Sequence, residues 1–314
     1  MPGCSGMAPW GLSPETTIGK NPLFGSRPAG YPAQERMNLM LQDIAPSVYH
    51  VEYTPKEPAE DSLCFVFQNR EILETFQAGT LELPTWKELA PLASSARYLF
   101  SIDQQEYFLA ELTGEELPKG YGWWAFRSNQ DKKSKAFHFA ECTAFHLANW
   151  YRDSRFCGRC GQETRDSKTE RMRLCPVCGN MIYPKIAPAV IVALTDGDRL
   201  LMTRYQGRPY KGYALIAGFN EVGETMEDTV RREIMEEVGL HCKDIRYCGS
   251  QPWGTEANIL LGYFARLEGD AAIHLDRQEL AQAEWLSREE IDIKPDGYSL
   301  TNHMIQMFLR GEEP

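Results

Sequence analysis

The segment Met226 to Val238, MEDTVRREIMEEV, carries Glu233, Glu236 and Glu237. On a helix these stand at i, i+3 and i+4, so three carboxylates share one face. The ends support a helix: Thr225 with Asp228 three residues on is a capping-box start, and Gly239 is a stop. Met226, Val230, Ile234 and Val238 then form an adjacent apolar stripe that can pack on a sheet. Three acids within one turn raise one another's pKa unless a cation sits among them. Hard oxygen donors of this kind suit magnesium or manganese, which keep several waters and also bind substrate phosphates. A solvated acidic helix face is the plainer alternative.

A second chemical set is Cys157-Gly-Arg-Cys160 and, after a spacer of 14 residues, Cys175-Pro-Val-Cys178. Two CxxC pairs at this separation match a four-thiolate zinc ribbon, each pair presenting two sulfurs to one tetrahedral structural ion. Disulfides are the alternative, disfavoured because nothing at the amino end reads as a secretion signal. A thioredoxin-like site fits less well, since it needs one CxxC at a helix start. Cys4, Cys64, Cys142, Cys242 and Cys248 show no ligand spacing and read as reduced thiols, several of them in cores. Arg155, Arg159, Arg165, Lys168, Arg171 and Arg173 make the ribbon locally basic. Asp153, Glu163, Asp166 and Glu170 dilute that charge, so a solvated surface is expected ahead of contact with an RNA end.

The flanks of the acidic helix narrow its meaning. Gly218, five residues, Glu224, seven residues, Arg232 and Glu233, then Ile234, Glu236, Glu237, Gly239 and Leu240 resemble the Nudix box GX5EX7REUXEEXGU at every defined position. The resemblance implies a loop-helix-loop that binds divalent cations and hydrolyses a nucleoside diphosphate linked to another group. It assigns the metals to Glu233, Glu236 and Glu237, and pairs Arg232 with Glu224 as a brace.

The ribbon ahead of the box, with SKTE (Ser167 to Glu170), YPKIAP (Tyr183 to Pro188) and SQPW (Ser250 to Trp253), is similar to the NADH pyrophosphatases, also called NAD diphosphatases. That resemblance implies two to three catalytic Mg2+ or Mn2+ ions, one structural Zn2+ per chain, and a homodimer whose residues cross into the partner's site. Glu279 would add a carboxylate to the metal site and Ala217 a backbone carbonyl. Glu170 and Tyr183 would contact the dinucleotide, and Phe219 would stack on a base. Gln251, Pro252, Trp253, Gly254, Thr255, Glu256, Ala257, Asn258 and Thr301 join the implied substrate contacts. The SQPW loop, implied to hold the substrate, also departs from the family: after Trp253 the usual Pro-Phe-Pro-x-Ser is replaced by Gly254, Thr255, Glu256, Ala257 and Asn258. Asn258 can hydrogen-bond where the serine hydroxyl would. Fold and reaction survive this change, and a strict preference for NADH is what it puts in question.

These residues need elements to hold them. The 314 residues, 43% of them hydrophobic, are enough for about two cored domains. No apolar run reaches the roughly 18 residues of a membrane span. A net charge of −11 argues against bulk nucleic-acid binding, and a cytoplasmic protein is expected. The fold class expected is α+β multidomain. Residues 1–36, rich in Gly, Pro and Ser, read as a disordered extension, with Met37 and Met40 as alternative starting points. Residues 37–152 read as a mixed α+β domain with strands at Ser62 to Gln68, Ala96 to Asp103 and Gln105 to Leu112. It closes on a buried connecting helix, Lys135 to Tyr151, whose His138 and His146 read as structural. The ribbon takes 153–182. Residues 183–314 read as a Nudix α/β/α sandwich around a mixed sheet, with strands at Ala189 to Leu194, Leu200 to Arg204 and Ile259 to Leu267. Short helices are predicted from Ser287, with Glu290 three residues on, and from Ser299 to Leu309.

The reading is metal-dependent hydrolysis of the pyrophosphate of NADH or NAD to a nicotinamide mononucleotide and AMP. Alternatives are the same chemistry on ADP-ribose-like nucleotides or on the NAD cap of an RNA 5′ end, and a non-catalytic nucleotide sensor. The intact carboxylate set counts against the sensor.

Overall fold

The computed structural model describes residues 40–77, 79–128, 132–207 and 211–314. The extension expected over 1–36 lies outside them. Asn38–Pro314 packs as one unit.

Its first part pairs β1 (Tyr49–His50), β6 (Ala93–Ile102), β7 (Gln105–Leu112) and β2 (Leu63–Phe65) in one sheet. A second sheet holds β3 (Phe67–Gln68), β4 (Glu71–Gln77) and β5 (Thr80–Glu82), with β8 (Gly122–Ala125) on β4. A single turn, α1 (Trp86–Leu89), sits between β5 and β6. Then α2 (Lys135–Asp153) starts where the Ser134 side chain accepts from the Phe137 N–H at 3.2 Å. Its Phe139, Ala140, Ala144, Leu147 and Trp150 pack with Phe65, Leu99, Phe100 and Leu109 of the sheets. As expected, both of its histidines make structural contacts: His138 meets Tyr298, and His146 Nε2 lies 2.7 Å from the Lys185 carbonyl.

The ribbon is a small antiparallel sheet of β9 (Arg165–Asp166), β10 (Arg173–Leu174) and β11 (Met181–Ile182). Beyond it, β12 (Ala187–Asp196) and β13 (Arg199–Tyr205) form a hairpin, β14 (Ile216–Phe219) pairs with β12, and α3 (Met226–Val238) follows. Then come β15 (His241–Trp253), β16 (Asn258–Glu268), β17 (Leu280–Ser287) and α4 (Leu300–Arg310). The sheet is mixed because β16 runs parallel to β12, Ala187 opposite Asn258 through Thr195 opposite Arg266, while the other pairs are antiparallel.

Strand alternation builds two cores on this sheet. Val190, Val192 and Leu194 of β12 face Val230, Ile234 and Val238 of α3. Ile191 and Ala193 face Leu300, Met304, Ile305 and Phe308 of α4. The result is the expected α/β/α arrangement.

Two sequence expectations need correction. The Ser287 helix does not form: Ser287 ends β17, and its N–H and hydroxyl bond Glu290 Oε2 at 2.9 and 2.8 Å across a plain turn. Two β-branched isoleucines follow, and Pro295 excludes Lys294 from helical geometry, so too few residues remain to repay nucleation. The SQPW segment is not a loop but the end of β15, with Gln251 opposite Leu260 and Pro252 opposite Ile259. An edge strand tolerates such a proline. The loop proper is the turn Gly254 to Ala257.

A charged cluster is buried in the first part. Lys133 Nζ lies 2.8 Å from Glu74 Oε1 and 3.1 Å from Glu141 Oε1, and none of the three side chains is more than 1% exposed. Burial, with Glu141 adding to it and Lys133 opposing, pushes the Glu74 carboxyl up from 4.5 to about 7. A carboxyl raised in the fold stabilises it fully below its unfolded pKa, and that contribution is lost as pH rises through the folded value. Relative to Glu74→Gln, the wild-type chain should therefore lose stability between about pH 5 and about pH 8. Urea midpoints across that range check it, and parallel curves would contradict it.

Candidate active site

The acidic helix begins and ends on local signals. Thr225 Oγ1 accepts from the Asp228 N–H at 3.2 Å, and the Gly239 N–H closes the last turn on the Met235 carbonyl at 3.0 Å. Val230, Ile234 and Val238 pin one face to β12, which fixes the rotation of the carboxylate face.

That face is organised by Arg232. Its Nε and Nη2 donate to Glu224 at 2.7 and 3.0 Å, Nη1 donates to Glu233 at 2.7 Å and Glu236 at 2.9 Å, and Nη2 also donates to the Phe219 carbonyl at 2.8 Å. All the guanidinium donors are in use. Glu224 further accepts from the Glu221 N–H and the Thr229 hydroxyl, at 3.1 and 2.9 Å. Its carboxyl is held far below the usual range, chiefly by Arg232. Glu224 is thus a brace between the loop and the helix.

Glu233 is different. It is buried, and burial with Glu236 and Glu279 nearby raises its carboxyl against the pull of Arg232. Glu237 is also buried and Glu236 is exposed. β14 runs directly beneath: a Cβ on Gly218 would lie 1.8 Å from the Glu233 carboxyl carbon. Only a glycine lets the strand pass under this carboxylate.

Arg232, Glu233 and Glu236 line a cleft of about 1520 Å³, whereas Glu224 and Glu237 are not among its lining residues. Of the residues singled out from the sequence, Ala217, Gly218, Phe219, Arg232, Glu233, Glu236, Gln251, Trp253, Glu256, Asn258, Glu279 and Thr301 line it. Phe219 is exposed and free to stack, and the buried Asn258 Oδ1 has no hydrogen-bond partner among the described residues. The Gln251 amide is committed internally: it accepts from Leu300 N–H at 2.8 Å and donates to the Tyr298 carbonyl at 2.8 Å. Pro252, Gly254, Thr255 and Ala257 lie off the cleft. Gly254 instead packs on α2, where a Cβ would meet the Cys142 carbonyl at 2.3 Å. Glu170 and Tyr183 meet each other, phenol to carboxylate at 2.8 Å, also off the cleft of this chain.

The donor set suits divalent cations: glutamate oxygens and a strand carbonyl are hard ligands, and the burial and the neighbouring carboxylates that raise Glu233 are what a cation offsets. Glu233, Glu236, Glu237, Glu279 and the Ala217 carbonyl could hold them.

Sequence reasoning missed Arg127 and Tyr298, which also line the cleft. Arg127 follows β8 with φ of 66°, and its Cζ lies 5.0 Å from the Trp253 ring centroid and 5.6 Å from that of Tyr298. Its buried Nε has no hydrogen-bond partner among the described residues. The positive φ is visible only in the fold, and no motif surrounds this arginine.

In the ribbon, the four Sγ atoms of Cys157, Cys160, Cys175 and Cys178 lie within 4.8 Å of one another. The Cys157–Cys178, Cys160–Cys175 and Cys160–Cys178 separations are 3.6, 3.5 and 3.5 Å. This is close to the edge of a zinc tetrahedron, about 3.8 Å, and far above the roughly 2.05 Å of a disulfide. The basic residues of the ribbon are partly structural. Arg173 is buried on Thr164 and Asp166, and Arg171 donates to the Leu99 carbonyl.

Gly218→Ala should displace the Glu233 carboxylate and weaken divalent-cation binding on the order of 10-fold or more, with the circular dichroism spectrum unchanged. Titration with Mn2+ checks this, and wild-type affinity in the variant would contradict it.

Comparison with known proteins follows the same division. Residues 185–307 match the family described as NUDIX domain, and 152–183 match the NADH pyrophosphatase zinc ribbon domain. A protein named NAD-capped RNA hydrolase NudC from Pectobacterium carotovorum subsp. carotovorum is 39% identical over 160 residues, 51% of this chain and 61% of that protein. The chain thus spans less than two thirds of that relative. The protein of the same name from Yersinia pestis (strain Pestoides F) is 35% identical over 195 residues, 62% of this chain and 74% of that one. A crystal structure of a NUDIX hydrolase from Nitrosomonas europaea aligns at 18% identity and TM-score 0.42, over 51% of this chain and 94% of that one. The chain belongs to the NADH pyrophosphatase family of zinc-ribbon-containing Nudix hydrolases.

Proposed function

We infer that the protein hydrolyses the pyrophosphate bridge of NADH and NAD, giving a nicotinamide mononucleotide and AMP. The observation that carries this reading is the composition of one cleft. Glu233, Glu236 and Glu279 sit together with Arg127, Phe219 and Trp253, so groups for cations, phosphates and planar bases share one cavity.

Each side chain then has a task. Arg127 brings a guanidinium to the cleft wall, where it would meet the phosphates. Phe219 offers an exposed ring for a base, and Asn258 an unused acceptor for an amide or hydroxyl. Magnesium or manganese held by Glu233, Glu236, Glu237, Glu279 and the Ala217 carbonyl would neutralise the phosphates and lower the pKa of a bound water. Water attacks one phosphorus in line with the bridging oxygen, the bond from that phosphorus to the bridge breaks, and a carboxylate of the set accepts the proton. Arg232 and Glu224 do not meet the substrate; they keep the carboxylates in place.

A second reading is supported by the named relatives: the same bond in the NAD cap of an RNA 5′ end. Free ADP-ribose-like nucleotides present the same chemistry. The altered turn from Gly254 to Asn258, with the Glu256 carboxylate at the cleft, is where such preferences would be set. We also propose a homodimer. Glu170 and Tyr183 lie off the cleft of their own chain, and Phe156, Val177, Met181, Tyr183 and Ile186 around the ribbon are exposed apolar residues that a second copy would cover. Thiolate ligation of zinc fits a reducing compartment such as the cytoplasm.

Product analysis after incubation with NADH, NAD, ADP-ribose, diadenosine polyphosphate and NAD-capped RNA, in magnesium and then manganese, tests the reading. AMP and reduced nicotinamide mononucleotide should form fastest from NADH, and Glu237→Gln should abolish turnover with the fold intact. Faster cleavage of another substrate would overturn the NADH preference. No cleavage at all would favour the sensor.

A further inference from the structure

The buried Glu74–Lys133–Glu141 cluster is not explained by stability. An ion pair taken out of water gains little over apolar packing of the same volume. Its contacts run toward the cleft. Glu141 Oε1 lies 3.5 Å from the backbone N–H of Arg127, at the turn where that residue adopts a positive φ. One helical turn earlier on α2, His138 Nε2 lies 3.9 Å from Glu141 Oε2, and His138 Nδ1 lies 2.8 Å from the Tyr298 hydroxyl. The Tyr298 ring is one of the two that flank the Arg127 guanidinium. Tyr298 is fixed on its other side by the Asp296 carboxylate, which accepts its N–H at 2.7 Å, and by Leu41 and Gln251, which donate to its carbonyl at 2.9 and 2.8 Å.

We propose that His138 and Glu141 are positioning residues for the cleft: Glu141 holds the Arg127 turn, and His138 holds the Tyr298 ring against the Arg127 guanidinium. The part of the chain before the ribbon thereby sets affinity for the phosphates of the substrate. This role rests on the pyrophosphatase activity inferred for the cleft. The protonation states agree with it. Burial, with Lys133 and Arg127 nearby, lowers His138 from 6.5 to about 4, so the ring is neutral. Burial raises Tyr298, so its phenol keeps its proton. The phenol and the neutral imidazole therefore share one uncharged hydrogen bond at Nδ1, and Nε2 lies 3.9 Å from Glu141 Oε2. Neither His138 nor Glu141 lines the cleft, so their effect passes to the substrate through the Tyr298 ring and Arg127.

A double-mutant cycle on the full-length protein separates this role from a merely structural one. NADH kinetics and thermal midpoints are measured for His138→Leu, His138→Asn, Arg127→Ala and the double variant His138→Leu/Arg127→Ala. His138→Leu should raise KM about 10-fold with kcat within about twofold. His138→Asn, which keeps an acceptor for the phenol, should recover most of that loss. In the Arg127→Ala background, His138→Leu should add nothing. Additive effects, or an unchanged KM in a folded His138→Leu, would overturn the proposal. If His138→Leu fails to fold, Tyr298→Phe removes only the hydroxyl, and an unchanged KM there would overturn the proposal equally. A wild-type protein without NADH turnover would instead sink the pyrophosphatase reading itself.

Discussion

The cleft depends on one guanidinium among carboxylates. Two like charges about 4 Å apart repel by about 4 kcal/mol at an effective dielectric of 20, and Glu224, Glu233 and Glu236 all bond the same arginine. Arg232 makes their proximity possible, yet it does not treat them alike. Glu224 takes a two-point contact and is held low, whereas Glu233 stays raised by burial and by Glu236 and Glu279. That difference separates a brace from the carboxylate proposed as a metal ligand. The same arginine also reaches the Phe219 carbonyl, so β14, the loop and α3 meet at one side chain.

The geometry around that hub is set by packing further away. β14 can pass beneath Glu233 because position 218 has no Cβ, and it is held there by pairing with β12 from Ala189 opposite Phe219 to Val192 opposite Ile216. The opposite wall is built from distant segments. Gln42 donates to the Ser250 carbonyl at 3.0 Å, the Gln251 amide caps α4, and Arg127 arrives from the first part of the chain. The cleft is therefore a property of the whole packed unit rather than of the box alone.

What was legible in the sequence was what local physics decides. The bounds of α3 follow from Thr225, Asp228 and Gly239, whose capping contacts lie within the segment. The ribbon followed from cysteine spacing, and the alternating apolar strands from period-two patterning. What was not legible depends on partners far away in the chain. The Ser287–Glu290 pair makes the local contact that its spacing suggests, but nothing after it can propagate a helix. Ser250 to Trp253 looks like a loop beside a proline, and it becomes strand because β16 lies alongside. Gln251 looks like a substrate ligand, and its amide is consumed by Tyr298 and Leu300. Arg127 carries no motif, since its role comes from two aromatic rings, both of them far away in sequence.

The most direct test of this hub is NADH hydrolysis by Arg232→Lys. Lysine keeps the charge but cannot span Glu224, Glu233, Glu236 and the Phe219 carbonyl at once. If one planar cation organises the carboxylates, kcat/KM should fall on the order of 100-fold with the fold retained. Wild-type kcat/KM in that variant would show that charge alone suffices, and would contradict the central place of Arg232 in the cleft.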